Sequence, residues 1–263
     1  MTRRREPVFG TFVAEFDTPG MGHILAAAGC DFAFLDMEHS SITIDRIKSS
    51  VRYYEAAAVP LIVRPPSKAY ANVAGVMDAG AEGICLPCVG SADEARHLVS
   101  MVKYPPQGGR GIGIQLAHDR YRAGDAAAKI KAANRRSYVI LQIESAEGAK
   151  NVDAISATPG VDALWIGHFD LSASLGLPGQ FDHADFQAAV RRTAKACKQH
   201  KISLGMIAGS PEQGLALIRQ GFNLISYLGD VWLLRDALGA GITAMRDGLN
   251  KRRRPAVKRK PKS

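Results

Sequence analysis

The stretch YVILQIESAEGAKNVDAISATPGVDALWIGHFD, residues 138–170, shows most clearly the pattern from which the fold is predicted. It contains a short apolar run at 138–144, a helical pattern at 147–157 and a second apolar run at 163–167. Apolar runs joined by helical segments are typical of parallel strands that are covered by helices. The stretch therefore predicts one strand–helix–strand unit of an α/β protein.

The same alternation extends over the whole chain. Predicted strands lie at 8–15, 32–37, 60–64, 83–88, 138–144, 163–167, 203–207 and 224–228, and predicted helices at about 19–28, 43–57, 69–79, 91–102, 147–157, 185–200, 211–220 and 231–248. Eight such units in about 250 residues predict a closed (β/α)8 TIM barrel. An open doubly wound sheet is the alternative, but its G-x-G-x-x-G fingerprint is missing, because GGRGIG at 108–113 follows no strand.

Charge and composition narrow the class of protein. The chain has 263 residues, of which 46% are hydrophobic and 22% charged, and its formal net charge is +9. Eleven of the 34 Lys and Arg residues lie at 3–5 and 251–263, so 23 remain against 25 Asp and Glu. We therefore expect disordered basic ends at 1–6 and 251–263, a single domain at 7–250, and no nucleic-acid partner.

Targeting signals are missing from the sequence as printed. No run of 18 apolar residues occurs, and the N-terminal stretch has no uninterrupted apolar segment. We expect a cytoplasmic protein without a membrane partner. Cys85 and Cys88 form a C-x-x-C motif, but no second half of a zinc site accompanies it. Because GICLPC is expected to be a strand, we interpret both as packed thiols.

Polar side chains end four of the predicted strands. In a (β/α)8 barrel the carboxyl ends of the strands form one mouth, where active sites lie. An apolar run that ends repeatedly in acidic, basic or imidazole groups is not explained by packing alone. We therefore treat one set of residues as a candidate site: Asp36, His39, Arg64, Gln142, Glu144, His168, Phe169 and Asp170.

This set has a chemical logic. Two carboxylates on neighbouring strands, Glu144 and Asp170, suit a hard divalent ion such as Mg2+, with Mn2+ or Co2+ as further options. Arg64 offers a fixed fork to an oxyanion. His39 could exchange a proton, with Asp36 orienting its ring. Because no predicted strand ends in Lys, a Schiff-base aldolase is disfavoured, and the pattern favours metal-assisted chemistry through an enolate.

The chain resembles the HpcH/HpaI aldolase family, the class II, metal-dependent pyruvate aldolases. The resemblance runs from about residue 10 to residue 238, and its blocks are FLDMEHSSITID (34–45), LIVRPP (61–66), MDAGAEGICLPCVGSADEAR (77–96), YPPQGGRGIG (104–113), QIESAEGAKNVDAI (142–155), GVDALWIGHFDLSASLG (160–176) and GFNLISYLGDVWLLRDAL (221–238). Their order and spacing together are far more specific than any single block.

The resemblance implies a function and an assembly. It implies a barrel of the phosphoenolpyruvate/pyruvate type that reversibly cleaves a 4-hydroxy-2-oxo acid to pyruvate, or a close 2-oxo acid, and an aldehyde. A metal-stabilised enolate would be the intermediate. Family members are typically homohexamers, trimers of dimers, that exchange the last helix between subunits.

The resemblance also implies residue roles. Glu144 and Asp170 are similar to the two metal ligands, His39 to the acid/base residue with Asp36 as its partner, and Arg64 to the residue that holds the enolate oxygen. Gln142 is similar to the glutamine beside pyruvate, and the backbone amides of 169 and 170 would receive the substrate carboxylate. Glu38 is expected to be structural, because it would point to the opposite strand face.

One departure from the family pattern affects the pocket. The family pattern G-P-x-D-L-S reads here Gly167-His168-Phe169-Asp170-Leu171-Ser172, with a bulky Phe before the metal ligand. Phe169 is expected either to narrow the 2-oxo acid site or to redirect the aldehyde, and His168 is interpreted as a structural substitution or a second acid/base group.

Three competing functions stay open. An oxaloacetate-type decarboxylase and an acyl-CoA lyase similar to the citrate lyase β branch are alternatives on the same scaffold. A non-catalytic barrel that binds nucleic acid through its basic ends is the alternative of a different class.

Overall fold

The eight predicted strands close into one parallel barrel. In a computed structural model that describes residues 5–253, with no side-chain description for 250–253, each strand pairs with the next in the chain, and the eighth pairs with the first. Their bounds are β1 Val8–Val13, β2 Phe32–Asp36, β3 Leu61–Arg64, β4 Gly83–Leu86, β5 Tyr138–Ile143, β6 Ala163–Ile166, β7 Ser203–Ala208 and β8 Leu224–Gly229. The prediction of a (β/α)8 barrel is confirmed, and the doubly wound alternative is excluded.

Helices cover the outside of the barrel. They are α1 Met21–Ala27, α2 Ile44–Ala56, α3 Tyr70–Ala79, α4 Ala92–Val102, α5 Ala126–Arg136, α6 Ala146–Lys150, α7 Val152–Ser156, α8 His168–Ser174, α9 Ala184–Gln199, α10 Pro211–Arg219 and α11 Asp230–Arg253. Ser91 and Ser210 cap α4 and α10 by accepting backbone N–H bonds, as their place in the sequence indicates.

Two helices were not predicted from the sequence. Helix α5 is rich in Ala and basic residues and buries only Ala133 and Asn134, so it has no wide apolar stripe. Helix α8 begins directly at the end of β6, within the residues that we interpreted only as site residues. A single predicted helix at 147–157 is two short helices, α6 and α7, which meet at Asn151.

The core has two layers. The larger cluster lies between the strands and the helices and joins residues such as Leu35, Val63 and Leu141 to helix side chains. The second cluster comes from alternate strand residues that face the barrel axis, with Phe34 and Trp165 in contact at 5.0 Å between ring centroids. A Cβ atom at Gly205 would overlap the Trp165 ring, so the strand next to it needs glycine there.

The expected boundaries of the basic ends shift in the structure. Arg5 donates to the carbonyl oxygens of Cys197 and Gly221, at 3.4 and 3.2 Å, so the body includes this residue. Helix α11 continues to Arg253, past the expected boundary at 250. Residues 1–4 and 254–263, the rest of the two expected tails, lie outside the described residues. Among residues 5–253, no helix is long and apolar enough to cross a membrane.

Helix α11 carries a stripe of exposed apolar side chains. Its first turns pack on the barrel, where Trp232 stacks on Phe12 with 6.2 Å between ring centroids. Further along, large apolar side chains recur at intervals of three or four residues and are 41–66% exposed: Leu234, Leu238, Ile242, Met245 and Leu249. Such spacing places them on one helix face. The described chain therefore leaves this face without a partner.

Candidate active site

The predicted site residues gather at the carboxyl ends of the strands. One cavity of about 1030 Å³ opens there and continues into a groove that residues of α9 and α10 line. Seven of the eight candidate residues line this cavity, namely Asp36, His39, Arg64, Gln142, His168, Phe169 and Asp170. The eighth, Glu144, accepts a hydrogen bond from the side-chain amide of Gln142, which lines the cavity. The barrel geometry thus brings together residues from β2, β3, β5 and the end of β6.

A charged cluster holds Arg64 in one orientation. Asp36 and Arg64 are paired across β2 and β3, and Arg64 Nε donates to Asp36 Oδ1 at 2.6 Å. Glu38 Oε2 lies 3.1 Å from Arg64 Nη1. Burial lowers the pKa of Arg64, but the hydrogen bond and charge of Asp36 outweigh it and raise the pKa above its usual range. The guanidinium is therefore a fixed, permanently charged donor.

The predicted pairing of Asp36 with the His39 ring is wrong. Both Asp36 oxygens accept other donors, which are Arg64 Nε and the backbone N–H groups of Glu38 and His39. The His39 side chain is 67% exposed, and its Nε2 lies 4.0 Å from Glu38 Oε2. Among the described residues, Glu38 is thus the carboxylate that faces the imidazole, while Asp36 fixes the loop that carries it.

The contact of Glu38 with Arg64 was not predicted from the sequence. We expected a structural role because a continued strand would point it away from the barrel mouth. Strand β2 ends at Asp36, however, and the next residues form a turn in which the backbone N–H groups of Glu38 and His39 donate to the Asp36 carboxylate. Side chains in this turn no longer alternate between the two faces of the strand. The D-x-E-H spacing in a turn, rather than in a strand, was the available signal.

Glu144 is held by two donors. Its Oε1 accepts the backbone N–H of Cys88 at 2.6 Å, and its Oε2 accepts the Gln142 amide. Burial raises the pKa of the Glu144 carboxyl; the hydrogen bonds from Gln142 and Cys88 oppose this, and the charges of Asp170 and Glu38 add to it. A Cβ atom at Gly167 would lie 2.8 Å from Gln142 Nε2, so a larger residue there would displace this group.

The C-x-x-C interpretation is half wrong. Cys85 is buried and its thiol contacts Gln142 Oε1 at 3.5 Å, whereas Cys88 is exposed. The reason is that β4 ends at Leu86 and Cys88 adopts a φ of +49°, so it belongs to a turn rather than a strand. Its backbone, not its thiol, supports Glu144.

The donor set fits a divalent ion that keeps further oxygen ligands. No cluster of three or more His, Cys, Asp or Glu side chains occurs in residues 5–253 that could hold a metal alone. Glu144 and Asp170 form a pair of carboxylates whose mutual repulsion contributes to the raised pKa of Glu144. Mg2+ is bound in this way by one or two carboxylates, with waters and substrate oxygens completing its shell.

Aromatic rings stand beside Asp170. The ring of Phe169 lies 4.5 Å from that of His168 and 5.2 Å from that of Phe181, measured between centroids, and it is 64% exposed. Phe181 packs in turn on the buried Phe186 at 5.5 Å. Burial lowers the pKa of His168, although the charge of Asp170 opposes the shift. Burial therefore favours the neutral imidazole of His168, which forms part of an aromatic wall.

Comparison with known proteins agrees with this geometry. The sequence model of the HpcH/HpaI aldolase/citrate lyase family matches residues 9–237. The chain belongs to the HpcH/HpaI aldolase/citrate lyase family. A hydroxypyruvate/pyruvate aldolase of Paraburkholderia phytofirmans is 36% identical to this HpcH/HpaI protein over 240 residues, which are 89% of this chain and 91% of the relative.

Two further comparisons extend the likeness to sequence and structure. A 2-keto-3-deoxy-L-rhamnonate aldolase of Escherichia coli is 29% identical over 248 residues, covering 94% of this chain and 92% of the relative. The crystal structure of an HpcH/HpaI aldolase from Desulfitobacterium hafniense superposes with a TM-score of 0.87 at 28% identity, covering 97% and 96% of the two chains. The family is generally dependent on a divalent metal. The prediction of a carbon–carbon lyase of the aldolase kind is confirmed.

Proposed function

We propose that this HpcH/HpaI family member is a pyruvate aldolase that cleaves a 4-hydroxy-2-oxo acid into pyruvate, or a close 2-oxo acid, and an aldehyde. The observation that carries the proposal is the meeting of Arg64, His39, Glu144 and Asp170 at one barrel mouth, in a chain whose relatives are named pyruvate-type aldolases. Arg64 in particular is locked by Asp36 and Glu38 with its charge directed at the cavity.

The carboxylates of Glu144 and Asp170 would hold the divalent ion, with Mg2+ favoured and Mn2+ or Co2+ as options. When bound there, such an ion supplies Lewis-acid polarisation of the substrate's 2-oxo group. Gln142 and the Cys88 amide keep Glu144 oriented towards this position.

The chain's own residues divide the remaining work. His39, exposed in the mouth, accepts the proton of the 4-hydroxyl group as the C3–C4 bond breaks and the aldehyde forms. The electron pair of that bond moves towards C2 and its oxygen, giving the enolate of pyruvate. Arg64 donates to the enolate oxygen, where charge develops, and return of the proton to C3 completes pyruvate.

The residue roles above remain predictions, and so do the two alternative lyase activities. An oxaloacetate-type decarboxylase would use the same enolate and the same Arg64, so oxaloacetate belongs in any substrate panel. For the acyl-CoA alternative, similar to citrate lyase β, the described cavity offers no separate observation in its favour beyond the shared family.

We also propose that the chain is a homo-oligomer, in the form of a hexamer that exchanges helix α11. The uncovered stripe from Leu234 to Leu249 supports an intermolecular contact, because contiguous exposed apolar surface marks interaction sites. A cytoplasmic location stays a prediction from the sequence.

The test is pyruvate release from a panel of 4-hydroxy-2-oxo acids, followed with a lactate dehydrogenase couple. The panel is run with Mg2+, Mn2+ or Co2+, then with EDTA, and then with metal added back. We expect release that EDTA abolishes and metal restores. Release that is insensitive to EDTA would contradict the metal assignment, and release only from oxaloacetate would favour the decarboxylase.

A further inference from the structure

Phe169 is an exposed aromatic side chain in an unusual place. It directly precedes Asp170, on the first turn of α8, lines the cavity and is 64% exposed. A solitary exposed aromatic residue needs no explanation, but this one belongs to a row. His168, Phe169, Phe181 and Phe186 contact one another in sequence, at 4.5, 5.2 and 5.5 Å between centroids.

The aromatic row is buried at one end, at Phe186, and exposed at the other, at Phe169. Phe186 is buried in the core between α9 and the barrel, so it anchors Phe181. Phe181 meets Phe169 edge to face, at an interplanar angle of 79°. The contacts with His168 and Phe181 position Phe169, and its exposed surface is available for contact with an incoming flat ring.

Arg64, Gln142 and Asp170 line one part of the cavity. Under the proposed function, they would surround the carboxylate, the 2-oxo oxygen and C3 of the substrate. The aromatic row and Trp232 line another part of the cavity, whose lining also includes the polar residues Glu15, Asp182, Gln187, Gln213, Gln220 and Arg235. Under the proposed function, this part of the cavity would receive the group attached to C4, which leaves as the aldehyde.

The phenyl rings of this wall disfavour a hydroxyl-rich group against them. Phe169 and Phe181 offer no conventional hydrogen-bond partner, and hydroxyl groups buried against their rings would lose their water. An aromatic or extended apolar group instead gains from contact with the rings.

We propose that His168, Phe169 and Phe181 form the aldehyde subsite and select aldehydes with an aromatic substituent. This assignment rests on the proposed pyruvate aldolase function and names its substrate class. The reaction is an ordinary aldol balance: C3 of pyruvate loses a proton, the C3–C4 bond forms, and the carbonyl oxygen of the aldehyde takes up a proton. No oxidant or further reactant is needed.

The test compares benzaldehyde with glycolaldehyde as partners for pyruvate in the presence of Mn2+, measured as kcat/KM. We expect the wild type to prefer benzaldehyde. Phe169→Ala should lower kcat/KM for benzaldehyde about tenfold or more, which is the worth of one aromatic contact with its buried area. The value for glycolaldehyde should fall by a clearly smaller factor, because this aldehyde has no ring to contact Phe169. Phe169→Leu keeps an apolar side chain without the ring, so its kcat/KM for benzaldehyde should lie between those of the wild type and Phe169→Ala.

Phe9→Ala provides a matched control, because Phe9 is also an exposed phenylalanine but lies at the opposite end of the barrel, at the start of β1. It should leave both aldehydes unchanged. Equilibrium binding of benzyl alcohol, which has the ring but no reactive carbonyl, gives a readout that does not depend on turnover. Binding to the wild type that Phe169→Ala weakens is the expected result.

The outcomes separate the two proposals. Conversion of glycolaldehyde with equal or greater preference over benzaldehyde, or an equal loss for both in Phe169→Ala, would overturn the subsite assignment while the aldolase function stands. No conversion of either aldehyde, with pyruvate and metal supplied, would overturn the aldolase function and the subsite with it.

Discussion

At the level of single residues, the proposed stabilisation of the enolate depends on how firmly Arg64 is held. Its guanidinium has two carboxylate partners from β2 and the turn after it, Asp36 and Glu38, and it lies 5.7 Å from the centre of the Phe12 ring. A charge that is already oriented costs no reorganisation when an enolate forms, and such preorganised donors dominate many catalytic effects.

Arg64→Ala is therefore expected to lower kcat for pyruvate release about 100-fold or more, because removal of one such donor commonly costs ~3–4 kcal/mol. Steady-state kinetics with the preferred substrate measures this. Arg46→Ala, an arginine with an exposed side chain on α2, is the matched control and should retain activity. A loss below about threefold for Arg64→Ala would contradict the assigned role.

Gly167 determines the space around Glu144. Since a Cβ atom there would crowd both Gln142 and Glu144, Gly167→Ala should displace the carboxylate and weaken metal binding about tenfold or more. Titration with Mn2+, followed by its electron paramagnetic resonance signal, measures the affinity. Gly239→Ala on α11, where an added Cβ meets nothing within 4 Å, is the control. Unchanged affinity in Gly167→Ala would show that Glu144 is not a ligand.

Residue identity could be predicted well from the sequence, whereas residue pairing could not. The eight candidate residues do converge, because parallel strands end at one mouth whatever their loops do. The prediction that Asp36 pairs with the His39 ring was wrong, because this contact depends on where β2 ends and how the next three residues turn. The prediction that Cys88 is packed was wrong for the same reason, because a turn follows the end of β4.

At the level of elements, the seven-residue helix α8 carries both the proposed metal ligand and two of the proposed aldehyde-binding residues. His168, Phe169 and Asp170 all lie in its first turn, so the position of this helix sets all three. The sequence did not reveal this helix because its apolar positions are few and it follows β6 without a connecting loop. The long apolar runs of the strands, by contrast, could be predicted because each is buried on both faces.

The buried imidazole of His168 gives a pH-dependent stability. Burial lowers its pKa from 6.5, so the unfolded chain binds the proton more tightly than the folded one. The stability it allows is present above pH 6.5 and is lost as the pH falls through the lowered value. We expect the thermal midpoint of His168→Gln to fall less than that of the wild type between pH 7.5 and 5.5.

His23→Gln, which changes an exposed histidine on α1, is the control for this measurement and should follow the wild type. If His168→Gln and the wild type lose the same stability over this range, His168 is not the group whose protonation is coupled to unfolding.

At the level of the whole molecule, residues 5–253 form a closed barrel but leave the apolar face of α11 exposed. The apolar stripe of α11 has no counterpart within residues 5–253, and a helix that keeps one apolar face needs something to cover it. A second copy of the chain is the occupant that the family resemblance implies.

Leu238→Asp, in the centre of the stripe, is expected to convert the assembly to a smaller species, because a buried unpaired charge is costly at an interface. Size-exclusion chromatography with light scattering measures the mass. Asp236→Asn, on the same exposed turn but off the stripe, should keep the wild-type mass. An unchanged mass in Leu238→Asp, or a monomeric wild type, would contradict the oligomer proposal.

The central claim is that a metal held by Glu144 and Asp170 allows release of pyruvate. The most direct measurement is pyruvate release by Glu144→Gln beside the wild type at saturating Mn2+, with Mn2+ affinity measured on the same samples and Glu212→Gln, a surface carboxylate on α10, as control. We predict that Glu144→Gln loses both metal affinity and at least about 100-fold in activity, while Glu212→Gln keeps both. Wild-type affinity and activity in Glu144→Gln would contradict the account.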